Sequence, residues 1–246
     1  MFGFNFDRKA IIIVIGIMLV AWISSLGTGG LLNILLAIPG VIIAMTFHEY
    51  AHALAAYKLG DDTPKIQGRL NLNPISHIDP IGIVLLLVAG FGWGKPVQID
   101  SRNFNGKYSL SKSEAIVAAA GPIMNFVLAF IFSIIYYVLF SGNILNNLST
   151  RVVQILYLVL IQIISINIGL GVFNLIPLPP LDGSKILMHF LNFNAKQWFY
   201  NNERIFYTAF LILWITGLLS SLLSPIFSGV FTGISWLALQ IVSIFI

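Results

Sequence analysis

Residues 48–52 read His48-Glu49-Tyr50-Ala51-His52. On a helix, positions i and i+4 share one face with Cβ atoms about 5–6 Å apart, so these two imidazoles can chelate one small cation. Glu49, next in sequence, can act on water held by that cation, which is the logic of the H-E-x-x-H pattern. The setting sharpens this reading. The pentad lies inside an apolar run, and two histidines with a carboxylate are costly to insert in a bilayer unless they find partners. A polar network joining helices is the other use of such residues, but the spacing favours chelation.

A catalytic zinc takes three protein ligands and leaves a fourth position for water. The chain has no cysteine, so the third ligand must be His, Asp or Glu. His77, Asp79, Asp182 and His189 fall on one predicted side of the membrane. Asp182 fits best. It follows an apolar span and the proline-rich run Leu175-Ile176-Pro177-Leu178-Pro179-Pro180-Leu181. Prolines prevent a regular helix there and leave the carboxylate free to turn into a cavity. Asp182 can also cap a short helix over 184–190, and the two roles coexist. His77 and Asp79 suit structural roles in the loop better than ligation, and His189 suits the membrane interface.

These residues need a frame, and the composition sets it. Of 246 residues, 58% are hydrophobic and 9% charged, against roughly 25% charged in an average soluble domain. Mean hydropathy is +0.92. That excludes a soluble enzyme, a nucleic-acid binder or a disordered regulator, and implies a polytopic membrane protein within the lipid bilayer. Runs near 20 apolar residues mark spans. The expected fold is all-α with about six transmembrane helices, at about 10–26, 31–57, 115–140, 152–173, 205–223 and 226–246, in one domain over 1–246. Between spans two and three, 60–113 is expected to carry a short membrane-associated β-sheet and a re-entrant segment. Residues 65–72 alternate like a strand, 96–100 suit a partner strand, and 81–93 are apolar but too short to span.

With a cytoplasmic N-terminus, 12 of the 13 basic residues fall inside and only Arg151 outside, as cytoplasmic loops require. An even number of spans then puts the C-terminus inside as well. The candidate site is then expected to face the cytoplasmic side of the cell membrane.

The same residues carry a family resemblance. Residues 47–53 around His48, Glu49 and His52, and the run 174–183 from Asn174 to Gly183, resemble the two zinc motifs of the site-2 protease family, peptidase family M50. The segments 73–82, 92–97 and 120–125 are similar to bacterial and archaeal members. The resemblance covers about 31–190. It implies an intramembrane zinc metalloprotease that cleaves single-span membrane proteins, with one Zn²⁺ per chain on His48, His52 and Asp182 and Glu49 as general base. It also points to Asn174 as a catalytic side chain that holds the substrate backbone or the developing oxyanion. A helix cap or an interhelical hydrogen bond is the other reading of Asn174, and Asn125 suits interhelical bonding better than catalysis. The chain is similar to a minimal core without PDZ or CBS modules.

Rival readings are a metal or proton transporter, which usually shows internal repeats absent here, a CAAX-type prenyl protease with a Glu ligand, and a proteolytically silent zinc-binding relative. Substrate identity and oligomeric state are not set by these residues. An extended substrate is expected to pair with the edge at 65–72.

Overall fold

The structure is a computed structural model that describes residues 8–83 and 94–245, with side chains described from Gly29 onward, Asn143 excepted. Helix α1 runs over Arg8–Lys58, and two single turns follow, α2 (Thr63–Ile66) and α3 (Pro74–His77). Helices α4 (Leu110–Ser141) and α5 (Thr150–Asn174) are long. After them come α6 (Asp182–Phe190), α7 (Phe193–Asn201), α8 (Glu203–Ile215) and α9 (Leu218–Val242).

Four stretches are long and apolar enough to cross a membrane: Gly29–Lys58, Leu110–Ser141, Thr150–Asn174 and Leu218–Val242. The shortest, at 25 residues, extends about 37 Å at 1.5 Å per residue, enough for a hydrocarbon core of about 30 Å. Helices α1, α4 and α5 pack on one another and α9 lies against α4 and α5. Gly40 makes the closest joint. A Cβ there would meet the Ile163 Cα of α5 at 3.1 Å, so only glycine lets the two backbones approach. Ala129, Ile164, Ile168 and Val172 form the bundle core, with Phe227 and Phe231 of α9 against it. A second cluster joins Leu181, Phe210 and Leu219 to Phe173 and Trp214. A third, around Ala56, Leu59 and Val117, holds Ile99 and Phe104 against the ends of α1 and α4.

Three expectations are corrected. The six spans become four among the described residues. The expected first span, 10–26, lies in the part of α1 whose side chains are outside the described residues, and the backbone of α1 is helical without a turn into the second. The expected fifth span, 205–223, is broken. Helix α8 has 13 residues, too short to cross, and Gly217 turns the chain with φ of 72° before α9. The expected sixth span therefore starts at Leu218 rather than 226 and holds Pro225 inside it.

The third correction concerns the sheet. No strand occurs among the described residues, and the sole pairing is an isolated antiparallel bridge between Ile78 and Gly94. Local chemistry overrides the alternation at 65–72. Pro64 sits in the first turn of α2, where its missing N–H costs nothing, and Gly68 ends the turn with φ of 65°. Residues 84–93 of the expected re-entrant piece lie outside the described residues. The edge expected to receive substrate at 65–72 is therefore absent.

Candidate metal centre and its cavity

His48 and His52 stand one turn apart on α1, and Asp182 opens α6. The kink that aims Asp182 inward begins at the end of α5, where Leu178 and Leu181 close tight turns through the prolines. Their polar atoms converge. His48 Nε2 lies 3.1 Å from His52 Nε2. Asp182 Oδ2 lies 3.2 Å from the first and 3.3 Å from the second. The three residues form the His/Asp group suited to a metal ion among the described residues.

The hydrogen bonds behind the imidazoles decide what the front atoms can do. His52 Nδ1 faces the Val117 carbonyl at 2.7 Å. His48 Nδ1 faces Asn125 Oδ1 at 2.6 Å. Both partners are acceptors, so each Nδ1 carries the proton, and each ring in its neutral form turns a bare Nε2 lone pair forward. Asp182 Oδ2 is buried and receives no hydrogen bond. Three sets of lone pairs therefore face one another within 3.3 Å. That arrangement is repulsive unless a proton or a metal cation lies between them.

The dimensions fit zinc. A tetrahedral zinc with bonds of about 2.0–2.2 Å separates its ligands by roughly 3.3–3.6 Å, within a few tenths of an ångström of the 3.1, 3.2 and 3.3 Å seen here. The site also has room for an ion because α4 places Gly121, with no side chain, against the two Nε2 atoms. A Cβ on Gly121 would fall 2.5 Å from His52 Nε2 and 2.7 Å from His48 Nε2.

Glu49 lies beside the triangle, and its Oε2 accepts the Val97 amide at 3.2 Å. That amide belongs to an irregular segment, 94–100, held at both ends. Lys95 N donates to the His77 carbonyl at 2.8 Å. Asp100 N donates to Asp61 Oδ2 at 2.8 Å. Asp61 is buried just beyond α1 and also accepts from Thr63 and Asn103. Burial disfavours its charge, but these donors outweigh it and hold the carboxyl below the usual carboxylate range. A cavity of about 640 Å³ opens over the triangle, lined by Glu49, Val97, Asn174 and Asp182 among others.

The structure thus brings His48, His52, Asp182 and Glu49 together at one cavity. Asn174 lines the same cavity, with Nδ2 donating to the Leu170 carbonyl at 3.1 Å. The other acidic and imidazole candidates stay apart from the triangle. His77 is buried, with Nε2 on the Asn71 carbonyl at 2.7 Å. Asp79 caps the turn at 81–82 through two backbone amides. Asn125 bonds between helices, as expected, and one of those bonds is to His48 itself. Sequence reasoning missed Asn167, which bonds Asn125, and the space kept by Gly121. A lone amide in an apolar span was the available signal for Asn167.

Lone pairs converging on a cation-sized gap, beside a carboxylate in a water-accessible cavity, define a metal-dependent hydrolase set in a membrane bundle. Comparison with known proteins narrows the class. The family model described as Peptidase family M50 matches residues 152–217. Three relatives bear the name "Putative zinc metalloprotease". YwhC of Bacillus subtilis is 42% identical over 180 residues, covering 72% of this chain and 79% of the relative. Rip2 of Mycolicibacterium smegmatis is 29% identical over 185 residues, covering 67% and 63%. MJ0611 of Methanocaldococcus jannaschii is 27% identical over 188 residues, covering 75% and 86%. No solved structure matches significantly. The chain belongs to peptidase family M50, the site-2 protease family, and is a zinc metalloprotease with membrane-spanning helices.

Proposed function

We propose that this metalloprotease cleaves within or beside the transmembrane segments of single-span membrane proteins. The observation that carries the proposal is that the triangle is built on an apolar helix within the bundle. His48 and His52 belong to a helix long and apolar enough to span, and the cavity over them is flanked by two more such helices.

His48, His52 and Asp182 would hold one Zn²⁺ per chain. When bound, zinc polarises a carbonyl and makes water acidic near neutral pH. Glu49 takes a proton from water and delivers it to the departing amine as the peptide bond breaks. The Val97 amide fixes one oxygen of that carboxylate and leaves the other free for the proton. Asn174 spends one amide hydrogen on Leu170. The second is available to the substrate backbone or to the oxyanion. A helical substrate must unwind to expose its peptide bond, and the irregular segment 94–100 borders the space it would enter.

Orientation follows from charge. Ten basic residues lie between the inner ends of the spans, on the side where α1 ends and α6 begins, and Arg151 stands at the opposite end of α5. The site side is then cytoplasmic in the cell membrane. Because α8 does not span, the far end of α9 faces away from the cytoplasm, unlike the six-span expectation for the C-terminus. The chain lacks cysteine, so a single cysteine placed after Val242 reads this directly with an impermeant thiol reagent.

The function is tested in detergent and by co-expression with single-span substrates. Glu49→Gln keeps zinc and loses cleavage. Asp182→Ala loses both. Full cleavage by Glu49→Gln would sink the mechanism.

A further inference from the structure

The back of the metal triangle is a relay of amides that crosses three helices. Asn167 Nδ2 on α5 donates to the Ile163 carbonyl one turn earlier, at 2.9 Å. This turns Asn167 Oδ1 outward, where it accepts Asn125 Nδ2 of α4 at 3.0 Å. The other hydrogen of Asn125 Nδ2 goes to the Ala44 carbonyl of α1, also at 3.0 Å. With both hydrogens committed, Asn125 can offer His48 only its oxygen. Asn125 and Asn167 are both fully buried, so no water substitutes for a missing partner.

We propose that Asn167 is a positioning residue for the metal centre. Through Asn125 it selects the His48 tautomer whose Nε2 lone pair faces Asp182. If Asn125 were reversed, its NH₂ would face His48 Nδ1, which would then have to accept. The ring proton would move to Nε2, and that atom could not ligate a metal. Ala44 resists the reversal with one hydrogen bond and Asn167 with a second. A ligand's outer hydrogen bond fixes its tautomer and ring angle, and loss of such a partner weakens metal binding by about 10–100-fold. Asn167 is not in contact with the ligand, so its effect must pass through Asn125.

The inference rests on the reading of the triangle as the zinc site, but not on what the enzyme cleaves. Its test is zinc affinity of the full apo chain in detergent, read by competition with a chromophoric chelator, alongside the melting temperature of the apo form. Asn167→Leu is expected to weaken zinc about tenfold, at the low end of the range for ligand-orienting partners. Asn167→Asp is expected to restore affinity to within about threefold, because a neutral carboxyl can donate to Ile163 and accept from Asn125. Ser133→Ala supplies the control. Ser133 is a buried helix residue that also bonds one turn back, to Ala129, and it has no bond to the relay. It should lower the melt without moving zinc affinity.

Asn125→Ala should weaken zinc, and adding Asn167→Leu to it should weaken zinc no further, since the two act in series. Additive losses, or wild-type affinity in Asn167→Leu, overturn the inference. If Asn167→Leu does not fold, Asn167→Ala takes its place: weaker zinc in the single variant with no further loss in the double with Asn125→Ala supports the inference, and wild-type affinity or additive losses overturn it. No zinc binding by the wild-type chain would overturn the zinc reading itself, a distinct outcome.

Discussion

Asp61 and Asp182 both present buried carboxylate oxygens at the same face of the bundle, and their surroundings are opposite in kind. Asp61 is saturated. Its Oδ1 accepts from Thr63 and Asn103 and its Oδ2 from the Asp100 amide, so each oxygen faces a donor. Asp182 Oδ2 is buried without a hydrogen-bond partner and faces two imidazole Nε2 atoms. A buried acid with its donors supplied is a fastener, here tying the end of α1 to the irregular segment beside Glu49. A buried acid that shares its space with other lone pairs needs a cation, because burial without a partner costs several kcal/mol (about 1–3 even for a neutral group). Saturation, rather than burial or charge, separates the structural carboxylate from the ligand.

The contrast breaks most sharply at Gly121. Gly121→Ala places a methyl 2.5 Å from His52 Nε2, in the space between the ligands. Zinc affinity is expected to fall by about 100-fold or more, beyond the loss of an outer-shell partner, measured on apo chain by chelator competition. Wild-type affinity in this variant would mean that the metal sits elsewhere. Asn174 tests the boundary between the two kinds of site, since it lines the cavity with one amide hydrogen bonded to its own helix. Asn174→Ala is expected to lower kcat about 10²-fold, as loss of one oxyanion donor does, with zinc stoichiometry unchanged. Unchanged kcat would move Asn174 into the structural group.

Asp61 should respond in the other currency. Asp61→Asn keeps an acceptor but loses the charge and one oxygen, and is expected to cost about 1–3 kcal/mol of stability. Zinc affinity should hold, and cleavage should fall only as far as loosening of 94–100 disturbs Val97 against Glu49. Thermal unfolding in detergent checks the first and metal titration the second. A loss of zinc as large as that of Gly121→Ala would erase the distinction between the two carboxylates.

How far these residues were legible depended on where their partners lay. The spans at 31–57, 115–140 and 152–173 each fall inside an observed helix because an uninterrupted apolar run is sufficient evidence for one. The break at Gly217 was hidden because the residues on both sides are equally apolar, and one positive φ ends the helix. The alternation at 65–72 misled because Pro64 and Gly68 impose a turn more strongly than a period imposes a strand. His48 and His52 were visible through their own spacing. Asp182 was visible through the prolines before it. Asn167 was not, because its partner is 42 positions away in sequence and a single Asn in a span names no partner. Asp61 was overlooked for the same reason, with Asp100 39 positions off.

The smallest predicted effect concerns acid, and its sign follows from the saturation of Asp61. Folding lowers the carboxyl below its ordinary value, which is about 3.9 in an unfolded chain. Between the two values the unfolded chain binds a proton that the folded chain does not. Stability therefore rises with pH across this window, and the contribution is complete above the unfolded value. As pH falls through the folded value, the contribution is lost. Asp61→Asn has no such group, so the melting-temperature gap between wild type and variant should be widest at pH 6 to 7 and should narrow below about pH 4. Asp100, held down to about 2 by the hydrogen bond from the Arg102 guanidinium, titrates in both proteins and cancels in the difference. The comparison is made on apo chains so that metal release from His48, His52 and Asp182 does not enter. A gap that stays constant down to pH 3 would show that the donors around Asp61 do not discriminate between its charged and neutral forms, and that its saturation is geometric rather than electrostatic.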